Sequence, residues 1–119
     1  MLRGAGSDIT LESVVEARRR IEGAVLRTPL LLSPGLSAEL GARVLLKCEN
    51  LQHVGAFKAR GACNAVFHLT PEEASAGVAT HSSGNHAAAL ARAAALRGIA
   101  AHVVMPRNSS ELKLEAVRR

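Results

Sequence analysis

The chain has 119 residues, 48% of them hydrophobic and 2% aromatic, with a formal charge of +5. That apolar content excludes a disordered polypeptide and suits one small globular domain or a piece of a larger one. The arginines are spread along the sequence and almost no aromatic side chains accompany them to stack on bases, so no nucleic-acid partner is expected.

The one basic cluster, Arg18-Arg19-Arg20, follows Glu12 and Glu16 and precedes Glu22, and reads as a solvated helix face. No apolar run approaches the roughly 20 residues that span a bilayer. The first ten residues lack the apolar stretch of a secretory leader, so no membrane partner and a cytoplasmic location are expected. Cys48 and Cys63 have neither zinc-site spacing nor the density of a disulfide scaffold, and read as reduced core residues.

In chain order, residues 10–25 place Leu11, Val14, Val15, Ala17, Ile21 and Val25 at helical spacing, with Thr10 as N-cap and Ser13 three residues on, which predicts a surface helix. Thr28-Pro29 ends that pattern and starts an extended Leu30-Leu31-Leu32. Residues 37–40 predict a short helix closed by Gly41, and 44–49 a buried strand. A regular alternation follows: helix over 57–69, strand over 77–81, helix over 85–97, strand over 101–105, and a helix from Ser109. Thr70-Pro71-Glu72-Glu73 and Arg97-Gly98 punctuate these units.

Strands alternating with helices of this length predict right-handed crossovers and a parallel sheet flanked by helices, hence α/β. The alanine-rich run from Ala87 to Ala95 suits a helix packed closely on a sheet. The amphipathic run from Leu112 to Arg119 stops without a glycine or proline cap, which predicts a truncated chain.

Two segments stand out as chemistry. Lys58 opens a predicted helix, where the positive end of the helix dipole disfavours an ammonium and favours the neutral amine, a nucleophile towards aldehydes. Gly55, Ala56 and Phe57 precede it, leaving space on one side and a flat ring on the other. The turn Ser82-Ser83-Gly84-Asn85-His86 joins a strand to a helix. Its glycine would permit a sharp bend, and the helix amides beyond it would make an anion site for a carboxylate or phosphate. The plain alternative is an ordinary turn in which Ser83 or Asn85 caps the helix. Both segments fall after strands, where open α/β sheets bind ligands.

GxGxxG, the Walker phosphate loop, HExxH and GxSxG are all absent. His53, His68, His81, His86 and His102 share no ligand spacing on one element, so no metal site is expected.

With these residues in hand the chain resembles the N-terminal part of the fold-type II pyridoxal 5'-phosphate enzymes, which have a tryptophan-synthase-beta-like fold, and among them the serine/threonine dehydratase and serine racemase group. The resemblance rests on Lys47-Cys48-Glu49 with Gln52, then Gly55-Ala56-Phe57-Lys58-Ala59-Arg60-Gly61-Ala62, then Thr80-His81-Ser82-Ser83-Gly84-Asn85-His86, then Val103-Val104-Met105-Pro106, in that order and spacing.

It implies that Lys58 forms the Schiff base with pyridoxal 5'-phosphate, that Phe57 packs near the cofactor ring and that Asn85 hydrogen-bonds its phenolic oxygen. It implies that Ser82, Ser83, Gly84, Asn85 and His86 hold the carboxylate of a small amino-acid substrate. It also implies dehydration and deamination of L-threonine or L-serine to 2-oxobutanoate or pyruvate with ammonia, with Lys58 as the base. Racemisation of serine is the alternative, with Ser83 on the ring face opposite the lysine. A fold-only module that has lost catalysis is a further one.

By the same resemblance residues 1–70 belong to the large cofactor-binding domain, residues 71–119 begin a small mobile one, and the full protein is a homodimer. The cofactor's phosphate cradle lies beyond these residues in the family, so the 119-residue piece is expected to be poorly stable and inactive. Ala88 stands where the family often has glutamine, and Asn108-Ser109-Ser110 replaces a more usual Ala-Pro.

Overall fold

The computed structural model describes residues 9–118. Helix α1 (Leu11–Arg20) opens on the expected cap: Thr10 Oγ1 accepts from the Ser13 amide at 3.2 Å while Ser13 Oγ accepts from the Thr10 amide at 3.1 Å. The two bonds satisfy donors that a helix start leaves open. No residue of α1 is buried, and the helix is shorter than its apolar pattern predicted because the chain turns at Gly23, φ 77°. The turn delivers Ile21 and Ala24 into the core.

Strands β1 (Leu30–Leu32) and β2 (Leu45–Lys47) form a two-stranded antiparallel ribbon, Leu31 opposite Leu46, around helix α2 (Pro34–Leu40). Gly41 ends α2 in the left-handed conformation, as expected. The expectation of a buried strand over 44–49 does not hold, since all three residues of β2 are exposed and so are all three of β1. Three-residue strands paired only with each other bury nothing without a layer packed on them. Cys48, expected in the core, is only partly covered there, whereas Cys63 is fully buried. Burial pushes the Cys63 thiol up from its ordinary value, against the smaller opposing effect of Arg92, so it stays a protonated, inert packing group.

Beyond the ribbon, two short 3₁₀ turns (Glu49–Leu51 and His53–Gly55) lead into helix α3 (Lys58–His68). Helix α4 (Pro71–Ser75), a stretch expected only as punctuation, is a single capped turn in which Thr70 and Glu73 exchange side-chain bonds with each other's amides. Strand β3 (Val78–His81), helix α5 (Asn85–Arg97) and strand β4 (Ala101–Val104) make the predicted β-α-β unit, with β3 and β4 parallel and Thr80 beside Val103. Helix α6 (Glu111–Arg118) follows.

Helix α5 packs against β3, β4 and α3 together, which is why its alanines are buried on several sides. The core joins Ile21 and Ala24 to Ala62, Cys63 and Val66 of α3 and to Ala89, Leu90 and Ala93 of α5. Two arginines of α5 tie the halves together. Arg92 donates to the Ala24 carbonyl at 2.9 Å, and Arg97 donates to the carbonyls of Val66 and Leu69 at the end of α3, the first of which also accepts from the Leu69 amide.

Gly77 immediately precedes β3 at φ 75°, and a Cβ there would lie 2.7 Å from the Ala100 carbonyl oxygen, whose bond to the Val78 amide begins the sheet. Gly77→Ala should therefore lower stability by at least about 2 kcal/mol. Gly23→Ala, with the same backbone sign but open space around it, should cost only about 1 kcal/mol. Denaturant midpoints of the two variants test the difference, and equal losses would contradict it.

Candidate active site

Residues 26–28 form the base on which the lysine segment is built. The side-chain amide of Gln52, 3% exposed, accepts from the Leu26 amide at 2.9 Å and donates to the Leu26 carbonyl at 2.8 Å, as a neighbouring strand would. The same oxygen of Gln52 also accepts from the His53 amide at 3.0 Å.

Two residues past Lys58, Arg60 grips Glu49 with both arms of its guanidinium, Nε to Oε2 and Nη2 to Oε1, each at 2.8 Å. Arg60 Nη2 reaches the Leu26 carbonyl as well, at 3.0 Å. Thr28 Oγ1 donates to Glu49, and Lys47 Nζ donates to the Thr28 carbonyl at 2.6 Å. A planar fork on a carboxylate fixes direction as well as charge.

Between these anchors the chain makes a tight turn. Val54 has φ 55° and Gly55 φ 67°, two successive left-handed residues of which the first is β-branched. That conformation is costly for valine and persists only where surrounding contacts hold it. Val54 packs on the core, and the Gly55 amide donates to the Gln52 carbonyl at 2.9 Å. Burial holds the His53 imidazole below its ordinary value, with Arg92 adding to the effect.

The turn ends at Lys58, the first residue of α3, as its place in the sequence predicted. Its Nζ lies 5.0 Å from the centroid of the Phe57 ring, which is itself 60% exposed. The amine and the flat ring sit side by side on an open surface.

The second segment lies at the carboxyl end of β3. Ser82 donates its amide to the Val104 carbonyl at 3.1 Å, and its Oγ accepts from the Gly84 amide at 3.3 Å. The N-cap of α5 is Gly84, neither Ser83 nor Asn85, and no side chain caps the helix, so its first-turn amides have no such acceptor of their own. Gly84 is not needed for a sharp bend, because its φ of −130° is ordinary extended backbone. What its missing side chain provides is open space, with nothing within 4 Å of the Cβ position.

A cavity of about 620 Å³ has Val54, Gly84, Asn85, Ala88, Arg92 and Lys113 in its wall, so the turn before Lys58 and the start of α5 share one space. A second, of about 620 Å³, is lined by His81, Ser82, Ser83, Val104, Met105 and Pro106 at the strand ends. The loop thus separates the serine hydroxyls from Gly84 and Asn85. Lys58, Phe57 and the exposed His86 line neither cavity. Among the described residues no three His, Cys, Asp or Glu side chains gather as a metal site.

A lysine at a helix start beside an aromatic ring suits an aromatic aldehyde, and uncapped amides at the start of α5 suit an anionic group. The chain belongs to the pyridoxal-phosphate dependent enzymes, whose family profile matches residues 21–119.

It is 52% identical over 110 residues to the beta-hydroxyaspartate dehydratase of Paracoccus denitrificans, covering 92% of this chain and 35% of that protein. It is 46% identical over 110 residues to the L-threonine ammonia-lyase of Thermotoga maritima, covering 92% of this chain and 27% of that one. The solved structure of maize serine racemase matches with a TM-score of 0.83 and 52% identity, over 90% of this chain and 32% of the other. The chain thus spans between 27% and 35% of the length of these relatives.

Sequence reasoning missed the base of the site. Thr28 and the Leu26 backbone carry no motif, and Glu49, Gln52 and Arg60 were legible only as part of a resemblance. The fork from Arg60, with smaller help from Thr28 and Lys47, lowers the Glu49 carboxyl to about 2. Because the folded value lies below the unfolded one, the stabilisation from Glu49 is fully present above about pH 4.5 and lost as pH falls towards 2. Glu49→Gln should therefore narrow the gap in denaturant midpoint to the native protein as pH drops from 5 to 2.5. A gap that stays constant would contradict the ion pair.

Proposed function

We propose that the full-length protein dehydrates and deaminates a small β-hydroxy amino acid, L-threonine or L-serine, to the 2-oxo acid and ammonia. One observation carries this reading: Val54, from the turn that leads to Lys58, and Gly84 and Asn85, from the start of α5, line one cavity although thirty residues separate the two segments. When bound, pyridoxal phosphate would supply an electron sink that makes the substrate Cα proton removable.

The chain's own residues do the rest. Lys58 would hold the cofactor aldehyde through its amine and, when free, would act as the base that takes the proton from the substrate Cα. Phe57 would offer its ring face beside the cofactor, and Asn85 would donate to the phenolic oxygen. The open amides at the start of α5, with Ser82, Ser83, Gly84 and His86, hold the substrate carboxylate, so the Cα–H bond is oriented towards the lysine. The β-hydroxyl then leaves as water, and hydrolysis gives the oxo acid and ammonia.

Serine racemisation is the second reading, supported by the Ser83 hydroxyl at the strand-end cavity and the likeness to maize serine racemase. In it Ser83 returns a proton to Cα from the face opposite Lys58.

The reading extends to the whole protein: residues 1–70 in a large domain, residues 71–119 opening a small mobile one, and a cytoplasmic homodimer. The β1–β2 and β3–β4 pairs belong to separate sheets on either side of that boundary, and no described helix is long and apolar enough to cross a membrane. The 119 residues alone, without a phosphate cradle, are expected to be inactive.

The test is product analysis with the full-length protein, L-threonine and L-serine, beside Lys58→Ala and Ser83→Ala. Lys58→Ala should abolish oxo-acid formation. Ser83→Ala should lower any D-serine formation by about a hundredfold while sparing elimination far more. Undiminished turnover by Lys58→Ala would overturn the reading.

A further inference from the structure

The lysine is held on both sides by groups that meet at one backbone atom. Gln52, six residues before Lys58, and Arg60, two residues after it, both donate to the carbonyl oxygen of Leu26, at 2.8 and 3.0 Å. Leu26 is far away in sequence, and its amide returns a bond to Gln52 Oε1 at 2.9 Å. Between the two anchors lie the left-handed Val54 and Gly55, and then Ala56 in extended conformation, φ −158°. A turn of that shape is not the resting preference of valine, so something outside it must hold it.

Gln52 is placed to do so. It is 3% exposed, and all three of its bonds go to backbone, two to Leu26 and one to His53 at the first residue of the turn. Losing them would take the side-chain acceptor from the Leu26 and His53 amides and leave Arg60 alone on the Leu26 carbonyl, and the turn could then relax out of the left-handed region.

We infer that Gln52 is the positioning residue of Lys58: with Arg60 it clamps the His53–Gly55 turn to Leu26 and so fixes where the first turn of α3, and the lysine amine on it, can point. This rests on the reading of Lys58 as the aldehyde-binding lysine and adds a residue that acts only through it. The partners of the Gln52 side chain are all backbone atoms, so its role is to place the turn.

The chain supplies its own control, because its lysines are Lys47, Lys58 and Lys113 alone. Reductive methylation of the intact protein with formaldehyde and cyanoborohydride, followed by peptide mapping, gives the labelling rate of Lys58 relative to Lys113 without any cofactor. Gln52→Leu, close in size and without hydrogen bonds, should change that ratio by about tenfold or more. Gln52→Glu, which keeps the acceptor for the Leu26 and His53 amides and loses the donor, should fall between, and Arg60→Lys should shift the ratio in the same direction as Gln52→Leu.

Thermal midpoints and circular dichroism of each variant accompany the labelling. A ratio equal to the native one in all three variants overturns the inference. So does a ratio that changes only in variants whose circular dichroism is lost, since that assigns Gln52 to the fold alone. Absorbance with pyridoxal phosphate separates this from the activity itself: a native protein that takes up no cofactor sinks the catalytic reading, while the methylation ratio still decides the role of Gln52.

Discussion

Close packing of α3 on α5 is the contact from which the site follows. Its members are small, with Ala62, Cys63 and Val66 on one helix and Ala89 and Ala93 on the other, each at most 5% exposed. Side chains of that size let two helices approach closely, and interiors packed this way tolerate little added volume. The approach sets the first turn of α5 against the turn that precedes α3, which is how Val54, Gly84 and Asn85 come to share a cavity. The turn that leads to the lysine and the open amides at the start of α5 become neighbours because their helices touch.

The arginines support that arrangement from within. A charge of +5 suggests an acidic partner when read as a total. Yet Arg60, Arg92 and Arg97 donate to internal carboxylate and carbonyl oxygens at Glu49, Leu26, Ala24, Val66 and Leu69, and Arg20 donates to Asn64 Oδ1. Part of the basic character of the chain is therefore internal scaffolding in which planar donors bridge segments far apart in sequence. The same donors end helices, steady a strained turn and direct a lysine. This joins the stability of the piece to the placement of its chemistry.

The sequence was most legible where punctuation was local. Helix α5 runs from Asn85 to Arg97 as expected because Gly84 and Gly98 bracket an alanine-rich stretch, and Gly98 closes it in the left-handed conformation. The cap at Thr10 and the parallel β3–β4 pair were legible for the same reason. Burial of β2 was not, because an apolar run reports what a strand could bury and not what packs on it. Gly84 misled in a different way: it needs no special φ, and its effect is the space it leaves. Lys58 could be picked out from its position, but the clasp around it could not, since Leu26 and Thr28 take part through backbone and hydroxyl atoms that leave no periodic mark.

The central claim is that Lys58, and no other lysine of this chain, is the group that binds the cofactor aldehyde. Borohydride reduction of the full-length protein with pyridoxal phosphate, followed by peptide mass mapping, tests it most directly. The account predicts a stable phosphopyridoxyl adduct on Lys58 at one equivalent, with Lys47 and Lys113 unmodified. An adduct shared among the three lysines, or none on Lys58, would contradict it.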